Sequence, residues 1–184
     1  MAFGLIISII AILIVIIFIY YFNRLVVLSN RIDNSLSQID VQLKKRADLV
    51  PNLIETVKGY AKHEKKIIED VTKARAAMLK ASNIEGKVKA DNQLEKALKS
   101  IFAIAENYPN LKANENFLQL QNELSAIEDK VAYSRQFYND SILSYNNTVE
   151  SFPGNMFAKI YGKKEKEFLK IAEAERALPK VKFE

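Results

Sequence analysis

The sequence TyrAlaLysHisGlu at positions 60–64 contains the only histidine of the chain, His63, directly followed by Glu64. This is how an H-E-x-x-H zinc site begins, and that motif needs its second histidine at position 67, one helical turn later. Position 67 is Ile67. Carboxylate sites in helical bundles use two Glu-x-x-His pairs, which one histidine cannot supply. We therefore expect no metal site, and we interpret His63 as an exposed or helix-capping side chain.

Other catalytic patterns are missing as well. The chain has no cysteine, which excludes thiol catalysis, disulfides and Cys-ligated metals. Its five glycines form no phosphate loop, dinucleotide fingerprint or G-x-S-x-G motif. A Ser–His pair would have to use His63, and no spacing marks a serine partner. We expect a protein that is not an enzyme and needs no cofactor.

Two further groups of residues allow two interpretations each. Aromatic residues at helical spacing are either a ligand cage or, as we expect, core: Tyr133, Phe137, Tyr138, Tyr145 and Phe152. Polar residues near two bends either cap helix ends or form a binding surface where the bends meet: Arg46, Asp48, Asn52 and Glu55 around one bend, and Asn107, Asn110, Asn114 and Asn116 around the other.

The elements that position these residues begin with an apolar segment, MAFGLIISIIAILIVIIFIYYF, which has no charged side chain before Arg24. As a helix, residues 2–22 would span about 31 Å, matching a hydrocarbon core of about 30 Å. The segment is too long for a signal peptide and lacks a small-residue cleavage site. The sequence predicts an uncleaved transmembrane anchor over residues 1–23. Its membrane-embedded and interfacial residues include Leu5, Ile9, Ile16, Tyr20, Tyr21 and Phe22.

The orientation of this anchor follows from Arg24 and Arg31, which lie just after the span. Because basic residues favour the cytoplasmic side, we expect a single-pass protein of the cell membrane with its soluble part in the cytoplasm.

Composition indicates helices for the rest of the chain. Only 5 glycines and 4 prolines occur in 184 residues, which favours a few long helices over a many-turned β fold. The net charge of +5 comes from basic residues interleaved with acidic ones. Interleaving is typical of a solvated helix surface, so we expect no nucleic-acid partner.

An apolar stripe continues the anchor into the soluble part. It comprises Leu25, Leu28, Ile32, Leu36, Ile39 and Leu43, and no glycine or proline intervenes between Gly4 and Pro51. The anchor helix should therefore project rigidly from the membrane. Asp48 as N-cap and Pro51 in a first helical turn predict a turn near Ala47–Asp48, where a second helix begins.

The predicted fold is all-α: an N-terminal transmembrane helix that continues into a long antiparallel bundle of four principal helices, plus a short C-terminal helix. The bundle covers residues 24–178 and a tail covers 179–184. The third helix carries Leu94, Leu98 and Ile101, and the fourth runs from Phe117 to a stop at Pro153-Gly154. After an apolar link at 156–161, the last helix is predicted over Lys164–Ala177.

Four stretches resemble the LemA family of membrane-anchored bacterial and archaeal proteins: QLKKRADLVPNLIETVKGYAKHE with Ala74-Arg75 downstream, YPNLKANENFLQLQNEL, RQFYNDSILSYNNTVESFPGN and PKVKFE. The resemblance implies an N-terminal transmembrane helix and a long antiparallel helical bundle. It implies no catalytic mechanism, cofactor or substrate, and it associates the chain with membrane organisation, including magnetosome membranes. The matching positions include Arg46, Asp48, Pro51, Asn52, Lys58, His63, Glu64, Arg75, Tyr108, Pro109, Asn110, Asn114, Asn116, Phe117, Arg135, Tyr138, Asn139, Tyr145, Asn146, Phe152 and Pro153.

Three functions remain open on this basis. The leading one is a scaffold or interaction protein that binds the bilayer through its anchor. It would self-associate through the anchor and the stripe of residues 25–43, or bind other membrane proteins. The alternative is lipid binding or membrane shaping, with the predicted terminal helix KKEKEFLKIAEAERAL lying on anionic lipid. The remote alternative is an enzyme that depends on His63.

Overall fold

The computed structural model describes residues 1–169 of the chain. The regular structure in this part consists of six helices, and the predicted all-α fold is confirmed. The helices are α1 (Ala2–Tyr60), α2 (Lys65–Lys80), α3 (Ile84–Ala105), α4 (Pro109–Lys112), α5 (Glu115–Glu150) and α6 (Gly154–Ile160).

The first helix links the anchor to the bundle without interruption. It has 59 residues, which corresponds to a length of about 89 Å. The side chains of residues 2–20 are exposed, whereas from Leu25 onward an apolar stripe of α1 is buried in the bundle. The predicted continuation of the anchor out of the membrane is therefore present.

The predicted turn at Ala47–Asp48 is wrong, because α1 passes through this region and ends only at Tyr60. Asp48 is an exposed residue inside the helix and caps nothing, and Pro51 also lies inside the helix. The change of direction comes at residues 61–64. Packing favours the unbroken helix, since Ala47, Val50 and Leu53 are each 0% exposed and the core runs past the proline on both sides.

The next two helices form a hairpin that packs beside α1. The buried face of α2 carries Val71, Ala74 and Met78, and that of α3 carries Leu94, Leu98 and Ile101. Asn83 begins α3 by accepting a hydrogen bond from the Gly86 amide at 2.9 Å, which is a standard N-cap interaction. The apolar face predicted for the third helix is the buried face of α3.

The helix that packs most extensively against α1 is α5, which runs antiparallel to α1, back toward the membrane. Near the membrane, Leu25, Leu28 and Ile32 of α1 pack with Ile142 and Tyr145 of α5. The stripe of residues 25–43 is thus covered inside the same chain. Its predicted use as a surface for self-association is wrong, because α5 already fills that face.

After α5 the chain differs from the prediction. The expected apolar link is the helix α6, which ends at Ile160. Two residues later, Gly162 has a φ of 64°, a conformation that favours glycine because it has no Cβ. Residues 163–169 have no regular secondary structure, so the predicted helix is wrong over 164–169. Its remainder and the tail at 179–184 lie outside the described residues.

Candidate functional site

Pro51 and Arg75, two positions of the family pattern, meet inside the bundle. Proline has no N–H, so Pro51 leaves the carbonyl of Ala47 without its usual helical donor. Arg75 of α2 fills this place, donating its Nε–H to the Ala47 oxygen at 2.8 Å. A residue of the neighbouring helix thus completes the hydrogen bonding of α1 where the sequence pattern predicted a break.

A buried ionic cluster joins three helices at the middle of the bundle. Arg46 of α1 donates to Asp91 of α3 at 2.7 Å, and Arg135 of α5 donates to the other oxygen of Asp91 at 2.8 Å. The side chains of Arg46 and Asp91 are both 1% exposed. Glu128 of α5 lies 3.5 Å from Arg46 and adds a second negative charge. Such clusters add little net stability, but they fix which residues face each other, because an unpaired buried charge is very costly.

Asp91 was not identified from the sequence. The available signal is its place in the stripe of α3, three residues before Leu94 on the same helix face. A charged residue in an otherwise apolar stripe indicates a buried ion pair, and its partners Arg46 and Arg135 were already in the family pattern.

Next to this cluster, Glu95 and Lys99 form an ion pair on α3. Burial alone would raise the pKa of the Glu95 carboxyl, but the hydrogen bond and charge of Lys99, with the charge of Arg46, hold this pKa below its usual value. A carboxylate held ionised in this way is a weak proton acceptor, so it does not resemble a general base tuned to neutral pH.

The chain changes direction at residues 61–64, and this bend meets the predicted bend around Pro109 at the end of the bundle far from the anchor. We call this end the tip and define it as residues 60–64 together with 108–114. Glu64 accepts a hydrogen bond from the Tyr108 hydroxyl at 3.0 Å, which also raises the pKa of Tyr108. Asn114 donates to the Tyr60 hydroxyl at 3.1 Å and accepts from the Phe117 amide at 2.9 Å, capping α5.

Several family-pattern residues are exposed at or beside the tip. His63 and Pro109 are exposed parts of it, and Lys58 pairs with Glu55 on the surface of α1. Asn52 of α1 and Asn116 of α5 line one shallow surface groove next to the tip. Asp48 is exposed inside α1, and the turn that it was expected to cap is absent.

Asn139 and Asn146 hold the chain segment that follows α6, which we call the strap (residues 163–169). Asn146 accepts from the Lys166 amide and donates to the Lys166 carbonyl, both at 2.9 Å. Asn139 makes the same pair of bonds with Leu169, at 2.9 and 3.1 Å. Seven helical residues rise about 10.5 Å and three extended residues cover about 10 Å, so the two spacings match.

The strap also contacts side chains at both of these points. Lys166 places its ammonium group 5.4 Å from the centre of the Tyr145 ring, and Leu169 is 7% exposed. Because its backbone groups are bound by asparagine side chains, the strap does not form the predicted helix.

The aromatic residues of α5, together with Phe152 just after it, do not form a cage. Tyr145 is 2% exposed and belongs to the membrane-proximal core, with the half-buried Tyr138 packed against it. Burial raises the pKa of both hydroxyls. Tyr133 and Phe152 are exposed, at 67% and 80%. The core interpretation therefore holds for Tyr138 and Tyr145 but is wrong for Tyr133 and Phe152.

Aromatic rings bind the C-terminal end of the anchor to the bundle. Phe157 of α6 stacks on Tyr21 with ring centres 5.0 Å apart, and Tyr161 contacts the edges of Phe18 and Phe22. The Tyr161 hydroxyl also donates to the carbonyl of Phe18 at 2.8 Å. Pro153 and Gly154 begin α6, and a Cβ on Gly154 would lie only 2.2 Å from the Thr148 oxygen, so this close approach requires glycine.

The anchor segment itself meets the criteria for a membrane span. Its most apolar window has a mean hydropathy of 3.3 and is 0% buried. Leu5, Ile9, Ile16 and Tyr20 all project from the exposed part of α1. This is one candidate membrane anchor at the N-terminal end of the described chain.

Among residues 1–169, no three His, Asp or Glu side chains come close enough to hold a metal ion together. The structure instead places the family-pattern residues in four arrangements: the Arg75 bond to α1, the buried ion cluster, the tip, and the hydrogen bonds from Asn139 and Asn146 to the strap, which we call the clamp. These arrangements can position helices and bind backbone, and they offer no nucleophile paired with a base.

Comparison with known proteins gives a consistent family match. The model of the LemA family matches residues 35–183. Protein LemA of Metamycoplasma hominis is 28% identical over 141 residues, covering 74% of this chain and 63% of that protein. Magnetosome protein MamQ 2 of Paramagnetospirillum magneticum is 24% identical over 173 residues, covering 80% of this chain and 64% of the relative. The chain thus spans slightly less than two thirds of the length of these relatives.

Proposed function

The chain belongs to the LemA family, and from that premise we propose that it is a single-pass, membrane-anchored scaffold whose tip binds other membrane proteins or a second copy of itself. The observation that carries this proposal is the continuity of α1 from the anchor to the tip. Residues 24–60 would hold the tip about 55 Å from the membrane boundary. A surface held at a fixed distance suits an interaction protein better than an enzyme.

The residues that cross-link the bundle support the same function. Arg75 completes α1 at Pro51, the Arg46–Asp91–Arg135 cluster joins α1, α3 and α5, and α6 fastens the anchor. Each of these links restricts movement between the anchor and the tip. These links explain the family-pattern residues inside the bundle by their structural role. The exposed family-pattern residues have no such role, so they are the candidates for binding a partner.

The exposed family-pattern residues at and beside the tip are the proposed binding surface. They come from two segments far apart in sequence, around His63 and around Pro109, with Asn52 and Asn116 in the adjoining groove. Helix capping accounts for Asn114, which caps α5. It does not account for exposed His63 or for Asn52, which lies inside α1.

Several relatives are named magnetosome proteins. By that likeness we propose a role in organising a membrane and no catalytic activity; the support for the second part is that, within residues 1–169, no serine hydroxyl is hydrogen-bonded to His63 and no three His, Asp or Glu side chains come close enough to hold a metal ion. Loss of any measured activity on changing His63 to Ala, with the fold retained, would contradict the second part.

The experiment that tests the scaffold is site-specific photocrosslinking in native membranes. A photoreactive amino acid replaces Lys112 at the tip, or Lys130 on the exposed face of α5 as the matched control. We expect discrete adducts from position 112 and none from position 130. An adduct of twice the 21.0 kDa monomer mass identifies self-association, and any other discrete mass identifies a partner. Equal patterns at both positions, or none at either, would contradict the proposal.

We also propose that the bundle faces the cytoplasm. The support is Arg24 and Arg31 after the span, together with exposed Lys159, which α6 brings to the same boundary. Because the chain has no cysteine, Ser82→Cys in the exposed link between α2 and α3 provides a single thiol. A membrane-impermeant maleimide should label it only after cell lysis, and labelling in intact cells would place the bundle outside.

A further inference from the structure

The helix α6 lies at the level where the anchor enters the membrane. Its aromatic residues Phe157 and Tyr161 contact Phe18, Tyr21 and Phe22, which belong to the last part of the apolar segment. The position of α6 is therefore fixed relative to the bilayer by the anchor itself. This part of the bundle cannot be far from lipid.

The two sides of α6 have different surroundings. Gly154 and Ala158 are buried against the bundle, with Ala158 1% exposed in the membrane-proximal core. Met156 and Ile160 are 57% and 65% exposed. Residues two apart on a helix point about 200° apart, so these two side chains are directed away from the bundle. Phe152, 80% exposed, lies just before the helix and adds a third apolar side chain.

We propose that α6 is an interfacial helix that inserts Phe152, Met156 and Ile160 into the bilayer beside the anchor, giving the protein a second contact with lipid. The apolar segment ends at Phe22, and Phe18 lies about 6 Å farther into it along α1. Contacts of α6 with both rings therefore place this helix at a depth within the range of about 5–10 Å at which amphipathic helices sit at the boundary of headgroups and acyl chains. Exposed Lys159 and Lys163 are placed to meet lipid phosphates at the same boundary.

The bilayer is the occupant that the observations favour. Met156 and Ile160 lie on the same helix as Phe157, which contacts Phe18 and Tyr21 of the anchor, and the exposed apolar side chains of that anchor need lipid around them. A partner protein would have to compete with lipid at this depth. The inference is independent of partner binding at the tip, because α6 lies at the opposite end of the bundle.

The chain contains no tryptophan, so a single tryptophan reports the environment of one position. The full chain is reconstituted in vesicles with brominated lipids, which quench tryptophan emission only on contact. Phe152→Trp and Met156→Trp are the two test variants. Ile9→Trp in the anchor is the control for lipid contact, and Tyr133→Trp on exposed α5 is the control for water.

We expect blue-shifted emission from both test variants, with lipids brominated near the headgroup quenching it more strongly than lipids brominated near the chain end. Ile9→Trp should show the reverse depth preference, and Tyr133→Trp should show no quenching. Emission at both test positions that matches Tyr133→Trp would overturn the proposal. Blue-shifted emission without quenching would also overturn it, because protein, such as a second copy of the chain, would then cover this surface. Two independent positions guard against one variant that fails to fold.

Discussion

The guanidinium of Arg75, a residue of α2, completes the hydrogen bonding of α1. Pro51 removes one donor from the C-terminal part of α1, and a buried carbonyl without a partner costs about 1–3 kcal/mol. Arg75 supplies the missing donor to Ala47. Pro51 and Arg75 are thus one structural unit, although they lie on different helices.

This unit predicts a specific non-additivity. Arg75→Ala alone should lower the free energy of unfolding by about 1–3 kcal/mol, because the Ala47 carbonyl loses its partner. In a Pro51→Ala background, the restored amide at position 51 can bond to that carbonyl, so the same change should cost about 1 kcal/mol less. Urea unfolding of the bundle in detergent, followed by circular dichroism, measures all four proteins. Lys73→Ala on exposed α2 is the control and should have little effect. If Arg75→Ala lowered the free energy of unfolding equally in both backgrounds, Arg75 would not stabilise the protein through the Ala47 carbonyl.

The pair of Pro51 and Arg75 also explains why the turn predicted at Ala47–Asp48 is absent. Asp48 followed by Pro51 is a good local signal for the start of a helix. What overrides it comes from Arg75, which lies 28 residues from Ala47. A capping rule uses only neighbouring residues, so it could not detect this donor. The other polar contacts within the bundle show the same limit, since Asp91 joins Arg46 and Arg135 from 45 and 44 residues away.

At the scale of whole elements, the strap is the part whose secondary structure is set by another helix. The segment from Lys164 has helical periodicity in its sequence, and a helix was predicted there. Asn139 and Asn146 instead bind its peptide groups in pairs, as a neighbouring β-strand would. Helical stripes predicted α3 and α5 correctly because burial of those stripes does not depend on such contacts.

The clamp predicts a pattern of amide hydrogen exchange. The amides of Lys166 and Leu169 should be protected in the native protein, because each donates to an asparagine oxygen. Asn146→Leu should raise the exchange rate at Lys166, and Asn139→Leu the rate at Leu169, by about tenfold or more, since each change removes two hydrogen bonds. Asn122→Leu, on the exposed face of α5, serves as the control and should leave both rates unchanged. Native exchange at these two amides as fast as in an unfolded peptide would argue that the clamp does not form in solution.

For the whole molecule, the structure separates two ends with different tasks. At one end α6 contacts the anchor and the strap is bound to α5, and at the other the two bends meet in the tip. The antiparallel pair of α1 and α5 connects them. The overall class, the anchor and the major helix faces could be predicted from the sequence, because they follow from periodicity and length. The position of the tip could not, since it depends on where α1 ends.

The central claim is that α1 is one unbroken rod between the membrane and the tip, and a single distance tests it. In this cysteine-free chain, spin labels on Asn34→Cys and Lys58→Cys place one probe on each side of Pro51 at exposed positions. Pulsed electron paramagnetic resonance on the full chain in nanodiscs then measures their separation. A continuous helix predicts a narrow distribution near 36 Å, within about 10 Å for the label linkers. A turn at Ala47–Asp48 would bring the probes to about 10 Å, the spacing of packed helices, and that result, or a broad distribution, would contradict the account.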